Sequence, residues 1–352
     1  MDLESLGGWP GILARLMGGR DLAAEEAATA LDEVLAGRAT PAQLAGFLVA
    51  LRVKGEAVPE MAGLVKSLLA HAEKVPVPTA LVGRLVDTCG TGGDRSQSIN
   101  VSTLSALVVA GAGAVVCKHG NRALSSRTGS ADVLEALGVA IDLAPDGVAR
   151  CLDEAGLAFC YAPRYHPALR HAGPTRRELG VATAFNFLGP LVNPARPTRQ
   201  VVGVSDPSMA ETLLGVLAAN GATRAMVVFG HDGLDELTTT TTSTLLYLRD
   251  GEVSRLEVDP VALGIATATA DQLKGAGPAA NAEATRRVLD GTRGPHRDLV
   301  VLNAAAGLVV AGLAPDLAGG LDVARHSLDD GAAADALERL VTVSQAASAA
   351  TS

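Results

Sequence analysis

Asp87-Thr88-Cys89-Gly90-Thr91-Gly92-Gly93-Asp94, running on to Asn100-Val101-Ser102-Thr103, is one of two stretches that decide how this chain is read. The other lies about one βα unit later: Lys118-His119-Gly120-Asn121-Arg122, running on through Ala123-Leu124 to Ser125-Ser126 and Gly129-Ser130. Short apolar runs, Leu85-Val86 and Ala114 to Cys117, precede them and have the character of buried strands. Each stretch leads into a segment with helical spacing. Glycine lets backbone N–H groups turn toward a ligand with no Cβ in the way. A helix N-terminus adds partial positive charge and unsatisfied donors. Two such loops side by side make an anion cradle suited to a polyphosphate. A lone Gly-Thr-Gly-Gly would serve equally as an ordinary strand-to-helix turn. Here the glycines share their strand ends with Asp94, Asn100, Ser102, Thr103, Lys118, Asn121 and Ser130, so donors, a cation and a carboxylate gather at one place.

The pattern outside these loops supports an α/β domain. Gln200–Val204, Ala225–Phe229 and Leu157–Tyr161 are further strand candidates. Between them lie helical segments with proline at the start and glycine at the end: Pro145 to Gly156, and Pro207 to Gly221. Ser130 to Leu137 is a third helix, closed by Gly138. Strands alternating with helices imply a mostly parallel sheet flanked by helices. After a Thr run, Leu245–Leu248 and Val253–Val258 flank Asp250-Gly251, the signature of a hairpin. Upstream, residues 10 to about 77 read as all-helical, with Thr40-Pro41 as an N-cap followed by proline at the first helical position. Pro59 starts a short further helix in this reading. Pro76 and Pro78 mark the boundary, so residues 1–78 are expected to form a small helical domain and residues 79–352 a large α/β domain. Residues 163–199 break the rhythm and are expected to cross back, with helices from about 165–196 joining the small domain.

Composition sets the outer limits. The 352 residues carry 29 basic and 38 acidic side chains, a net charge of −9, so no global basic surface exists for nucleic acid. Only 3% are aromatic while 48% are hydrophobic, so the core must be built from Ala, Val and Leu. Cys89, Cys117, Cys151 and Cys160 have no C-x-x-C spacing and read as small, reduced core residues of a cytoplasmic protein. The N-terminus lacks a signal-peptide pattern, and the apolar stretches Leu104 to Cys117 and Leu299 to Leu313 are too short and too rich in Ala and Gly for membrane spans.

Asp235-Glu236 follows the strand Ala225–Phe229 and offers adjacent carboxylates to Mg²⁺, which takes few protein oxygens and shares the rest with phosphate and water. An isolated Asp-Glu pair is usually a solvated turn. Here it sits at a strand end beside two phosphate-type loops, where open α/β sheets bind ligands. Several other chemistries are excluded. No G-x-x-x-x-G-K-[ST] occurs at either loop, Arg95 replaces the last glycine of a G-x-G-x-x-G, and G-x-S-x-G and H-E-x-x-H are missing.

Taken together, GTGGD at 90–94, NVST at 100–103, KHGNR at 118–122, GSADVLEALG at 129–138, FNFLGPLVNPA at 185–195 and DGLDE at 232–236 resemble the anthranilate phosphoribosyltransferase family, in order and in spacing. The resemblance implies Mg²⁺-dependent transfer of phosphoribose from phosphoribosyl pyrophosphate (PRPP) to anthranilate, a step of tryptophan biosynthesis, by a homodimer with two ions per monomer. It implies PRPP contacts at Gly90, Gly93, Asp94, Ser98, Asn100, Val101, Ser102, Thr103, at Lys118, His119, Gly120, Asn121, Arg122, Ala123, Leu124, Ser125, Ser126, and at Ser130. It implies metal ligands at Ser102, Asp235 and Glu236, and anthranilate contacts at Gly90, Asn121 and Arg176. Lys118, Asp235 and Glu236 are the expected catalytic residues, and His119 and Tyr165-His166-Pro167 would line the aromatic's approach. The family usually has a small residue at 95 and Asn-Thr at 97–98, where this chain has Arg95 and Gln97-Ser98. Two competing expectations are a pyrimidine-nucleoside phosphorylase of the same architecture and a non-catalytic, nucleic-acid-binding paralogue. The intact GTGGD, NVST and FNFLGPLVNP stretches argue against the first. The acidic balance and the intact Asp235-Glu236 and Lys118 argue against the second.

Overall fold

The computed structural model describes residues 1–123 and 127–350. Four helices open the chain: α1 (Gly8–Met17), α2 (Ala24–Leu35), α3 (Pro41–Lys54) and α4 (Val58–Ala70). The Thr40 hydroxyl accepts from Gln43 N at 3.3 Å and the Gln43 side chain accepts from Thr40 N at 2.8 Å, the reciprocal cap that the Thr-Pro start predicts. The helix at Pro59 is not short. It runs 13 residues, because Leu64, Val65 and Leu68 continue an apolar face that packs on α2.

Beyond these helices lie β1 (Leu85–Gly90), α5 (Val101–Gly111), β2 (Val115–Gly120), α6 (Ser130–Ala136), α7 (Pro145–Ala155) and β3 (Leu157–Tyr161). A crossing segment follows, with short helices α8 (Ala162–Tyr165), α9 (Gly173–Leu179) and α10 (Phe185–Leu188). It packs on α2, α3 and α4. The chain then makes β4 (Arg199–Gly203), α11 (Ala210–Ala219), β5 (Arg224–Gly230), β6 (Ser243–Arg249) and β7 (Glu252–Val258). It finishes with α12 (Ala270–Leu273), α13 (Pro278–Leu289), α14 (Pro295–Ala311), α15 (Leu317–Asp329) and α16 (Ala332–Ala349).

The strands form one sheet in the order β3-β2-β1-β4-β5-β6-β7. The first five are parallel, and β6 and β7 are antiparallel. At the β6–β7 turn, Asp250 and Gly251 both adopt positive φ, 53° and 86°, as a tight hairpin requires. Alternation along the strands divides the core between the two faces. Val201, Met226, Val228 and Leu245 face the helices of the large layer, among them α5 and α14. Val202, Val204, Val227 and Leu246 face α11 and, beyond it, the N-terminal helices and the crossing segment. The apolar stretch at Leu299 to Leu313 lies mostly within α14, which is buried along nearly its whole length. Among the described residues, no helix is long and apolar enough to cross a membrane.

One buried ion pair anchors the N-terminal bundle. Glu60 is fully buried and accepts from Lys54 Nζ at 2.9 Å, Leu22 N at 3.0 Å and Ala57 N at 2.8 Å. Replacing the cation strands a buried carboxylate, so Lys54→Met should lower unfolding free energy by about 3 kcal/mol. Chemical denaturation of the variant measures this, and a loss well under 1 kcal/mol would mean that the pair is dispensable.

Candidate active site

β1, β2, β4 and β5 all end at the same edge of the sheet, so their following loops converge. The first loop leaves β1 at Gly90. Gly92 N donates to Asp235 Oδ2 at 2.7 Å, which binds this loop to the one after β5. A Cβ at Gly90 would collide with the Asp235 carboxylate, and one at Gly203 would collide with the Asp235 carbonyl oxygen. Glycine at both positions is therefore the condition for Asp235 to reach the strand ends. Thr91 N donates to Gly203 O at 2.9 Å, and Ser205 Oγ donates to Gly92 O at 2.8 Å, so the loop is also fastened to β4.

Asp94, Asp235 and Glu236 bring one carboxylate oxygen each within 4.8 Å of one another. Burial, and then the neighbouring Asp94 charge, push the Asp235 carboxyl up to about 7. Burial and Asp235 push Glu236 well above its ordinary range. Glu236 Oε2 is buried with no hydrogen-bond partner among the described residues. Three crowded carboxylates with an unpartnered buried oxygen are the donor set of a hard divalent cation. Asp94, assigned from the sequence to PRPP alone, thus stands with the two carboxylates assigned to metal. Ser102, the third predicted ligand, opens α5, where its hydroxyl accepts from Lys118 Nζ at 3.2 Å.

Lys118 is buried and also donates to Thr88 O. Burial lowers its pKa, opposed chiefly by the nearby Asp87 carboxylate. Asp87 accepts from His119 N at 3.2 Å and from Asn193 Nδ2 at 2.9 Å, and Asn193 Nδ2 also donates to Cys117 O at 2.7 Å. This knot fixes β1, β2 and the crossing segment relative to one another. Neither Asp87 nor Asn193 was singled out by the sequence reading, although both lie inside quoted motifs.

In the second loop, Asn121 Oδ1 accepts from Arg122 N at 2.7 Å, and Ser130 Oγ donates to Asn121 O at 3.3 Å. Arg122 is paired with Glu135 at 2.8 Å and Asp132 at 3.0 Å, and it lies over the Tyr161 ring. Asp132 also accepts from Ala123 N at 3.0 Å and Gly129 N at 2.8 Å, so it shapes the loop from within. Leu124, Ser125 and Ser126 lie outside the described residues. Asn100 is engaged at both ends of its amide, donating to Thr128 O at 3.0 Å and accepting from Asn281 at 2.9 Å. It stitches the two loops to α13. Thr103 Oγ1 is buried and unpartnered among the described residues. Val101 is a core residue, and its backbone N–H is already donated to Ile99 O at 2.7 Å, so its predicted contact with PRPP has no open donor here.

Arg95 and Gln97, the positions that depart from the family pattern, adopt φ of 58° and 57°. That left-handed backbone favours a residue without a Cβ. Gly93, at φ 86°, meets the same demand at no steric cost. Ser98 pairs with Lys274 in an isolated bridge, which carries the loop toward α12.

The crossing segment supplies the opposite wall. His119 Nδ1 meets Gly189 O at 3.1 Å, His166 Nε2 meets Val192 O at 2.9 Å, and the two rings stand edge to face with centroids 5.3 Å apart. Burial lowers His119 to about 3 and His166 to about 4, so both rings are neutral at physiological pH. Tyr165 turns away and donates to Leu143 O at 3.0 Å. Arg176, on α9, lies over the Phe185 ring and has no side-chain hydrogen bond or ion pair among the described residues. Burial lowers its pKa, yet nothing on the described chain competes for its fork of donors.

Two models of a glycosyl transferase family match the chain, the helical bundle domain over residues 10–72 and the a/b domain over residues 82–334. It is 54% identical to an anthranilate phosphoribosyltransferase of Nocardioides sp. (strain ATCC BAA-499 / JS614), across 95% of this chain and 98% of that protein. The chain belongs to the anthranilate phosphoribosyltransferase family. An enzyme of that name from Arthrobacter sp. (strain FB24) is 52% identical, covering 96% of both. The crystal structure of anthranilate phosphoribosyltransferase from Thermus thermophilus superposes with a TM-score of 0.89 at 40% identity, covering 95% of this chain and 99% of that one. The Saccharomyces cerevisiae enzyme in complex with PRPP and Mg superposes at 0.88 with 25% identity, covering 96% and 98%. The fold expected from the sequence, a small helical domain followed by a mostly parallel α/β domain, is that of the family.

Both buried histidines have folded pKa values below the ordinary 6.5. The unfolded chain therefore binds more protons below pH 6.5, and the rings' contribution to stability, complete above that pH, is lost as pH falls toward 4. Each ring contributes a slope approaching about 1 kcal/mol per pH unit in that window. The raised carboxyls slope the other way, so the expected signal is a difference. Unfolding free energy between pH 7 and 5 should fall less in His166→Gln than in the parent, and identical pH dependence would mean that the ring is not held neutral.

Proposed function

We propose that this chain transfers phosphoribose from PRPP to the amine of anthranilate, giving N-(5-phosphoribosyl)anthranilate and pyrophosphate, in tryptophan biosynthesis. The supporting observation is the convergence of two glycine-rich loops, one buried lysine and three carboxylates at the carboxyl edge of a parallel sheet. In this reading Asp235 and Glu236 hold Mg²⁺ with Asp94 beside them, and Ser102 is within the same loop system. Three carboxylates exceed what one Mg²⁺ ordinarily takes from protein, which favours two ions. Bound there, Mg²⁺ would supply countercharge for a departing pyrophosphate.

The chain's own groups do the rest. The N–H groups that these loops leave open among the described residues, such as that of Gly93, and that of Ser102 in the first turn of α5 cradle the phosphates. Lys118 supplies positive charge close to the site where leaving charge develops. Anthranilate carries an aromatic amine that is neutral at physiological pH, so orientation rather than prior deprotonation is what the protein must provide. Arg176 is the free fork of donors that can clamp its carboxylate. The neutral His119 and His166 rings offer a low-charge wall for the aromatic body. Gly90 and Asn121 complete the acceptor's surroundings.

We assign residues 1–78 to a small domain completed by helices of residues 165–196, and residues 79–352 to the large one. The packing of the crossing segment on α2, α3 and α4 supports that division. Four free, buried cysteines fit a reducing compartment, the cytoplasm. A homodimer fits the bundle surface, where Met17 of α1 and Val53 of α3 are 81% and 83% exposed on helices that pack together.

Loss of anthranilate fluorescence on adding PRPP tests the reaction directly, and it should require Mg²⁺. Arg176→Ala should raise the anthranilate KM at least tenfold with little change in the PRPP KM, because one charge-assisted fork is removed. The pair Asp235→Asn with Glu236→Gln should abolish Mg²⁺-dependent turnover. No fluorescence loss with PRPP still bound would transfer the acceptor role to another aromatic amine. For assembly, sedimentation equilibrium should give a dimer for the parent and a monomer for Val53→Glu; a parent monomer would remove the dimer.

A further inference from the structure

The sheet has a second polar edge, at the opposite end from the site. Arg199 opens β4, Arg224 opens β5 and Arg249 closes β6. The strand register aligns Arg199 with Arg224 and Arg224 with Arg249. Aligned residues point to the same face at a spacing of about 5 Å, so three like charges stand in a row across three strands. Val86 of β1 aligns with Arg199, which puts the exposed Arg84 on that same face two positions earlier.

Like charges directly opposite one another are destabilising unless something of the other sign faces them. The chain offers little. Arg249 has Asp250 at 3.5 Å, a solvent-exposed pair, and Glu252, its partner in the β7 register, makes no ion pair with it. Arg199 donates to Ala311 O at the carboxyl end of α14, a favourable but partial charge. The Arg224 side chain has no hydrogen bond or ion pair among the described residues. Arg199 Nε and the Tyr247 hydroxyl are buried and unpartnered among them as well.

Part of this row borders a cavity of about 290 Å³. Arg224, Tyr247 and Arg249 form its polar side, and Val309, Leu313 and Pro315 its apolar side. We propose that this cavity is a second anion site, which binds a small phosphate monoester with the phosphate on Arg224 and Arg249 and the organic body against Val309, Leu313 and Pro315. Two guanidinium groups, Arg224 with no counter-charge among the described residues and Arg249 with only a solvent-exposed one, match a dianion better than a monoanion, and their planar forks match phosphate oxygens. A Tyr hydroxyl adds a third kind of donor. The cavity lies at the amino ends of the parallel strands, so its occupant is separate from the PRPP and anthranilate loops at their carboxyl ends.

The test uses phenyl phosphate as the monoester and inorganic phosphate as its bodiless counterpart. Calorimetric titration should show phenyl phosphate bound at least fivefold more tightly than inorganic phosphate, the fivefold being about 1 kcal/mol from the apolar wall. Arg224→Gln should weaken phenyl phosphate at least tenfold. Arg84→Gln, at an exposed position that leaves the fold untouched, should weaken it by a smaller factor and guards against a folding defect in the first variant. Diffraction from crystals soaked in phenyl phosphate should place the phosphate between Arg224 and Arg249. Equal affinity for the two ligands, binding indifferent to both substitutions, or density at the glycine-rich loops alone would each overturn the proposal.

Discussion

A fully buried carboxylate holds the site together. Asp87 sits in the middle of β1 with no solvent contact, an arrangement costly enough that its partners are obligatory. Those partners are His119 N on β2, the Asn193 amide on the crossing segment and the Lys118 charge. Burial raises its pKa, and Lys118 then opposes that rise more than any hydrogen bond does. Removing one partner would leave the others unable to satisfy a charge that water cannot reach. The loops after β1 and β2 therefore have one permitted spacing, and the crossing segment is drawn to the same point. The two histidine rings follow from this, because each is held by a carbonyl of that segment.

The second constraint works in the opposite sense. Asp94, Asp235 and Glu236 are forced together although burial and mutual repulsion oppose their charge. What enforces the approach is backbone. Gly90 and Gly203 leave room for Asp235, and Asn303 on α14 both donates to Leu237 O at 2.8 Å and accepts from Leu237 N at 3.0 Å, fixing the turn just past Glu236. Rigid helix and strand ends thus hold an unfavourable cluster that a divalent cation would relieve. Such preorganisation places the cost in the folding of the protein rather than in the binding event.

Most of the architecture was legible because its signals are local. The strands follow short apolar runs, the Thr40 cap lies three residues from its partner, and the β6–β7 turn is written in Asp250-Gly251. The length of α4 was missed because its apolar face is defined by α2, not by Pro59. Site assignment was legible at the level of loops and less so at the level of side chains. Asn100 looks like a ligand donor, yet its amide is shared between Thr128 and Asn281, the latter far along the chain. Arg122 looks like a phosphate contact, yet it is held by Glu135 and Asp132. Asp87, Asp132, Asn193 and Asn303 organise the site through partners that only the fold brings near. The left-handed backbone at Arg95 and Gln97 is likewise invisible in a sequence that places no glycine there.

The first loop is also braced from the helical bundle. Arg52 on α3 pairs with Asp206 at 2.9 Å and lies over the Phe187 ring of the crossing segment. Asp206 directly follows Ser205, which donates to Gly92 O. The ion pair is half-exposed, so it contributes on the order of 1 kcal/mol or less and cannot by itself position the loop. The larger force is the apolar layer common to both regions: Phe187 and Leu188 of the crossing segment, Val202 of β4 and Val204 just after it, and Leu48 and Leu64 of the bundle belong to one continuous core. Burial of that layer sets the position of the bundle against the sheet edge. Arg52 then selects the orientation within it, because an ion pair and a cation–π contact are directional where hydrophobic packing is not. The bundle is therefore a structural wall of the site rather than an appendage to it.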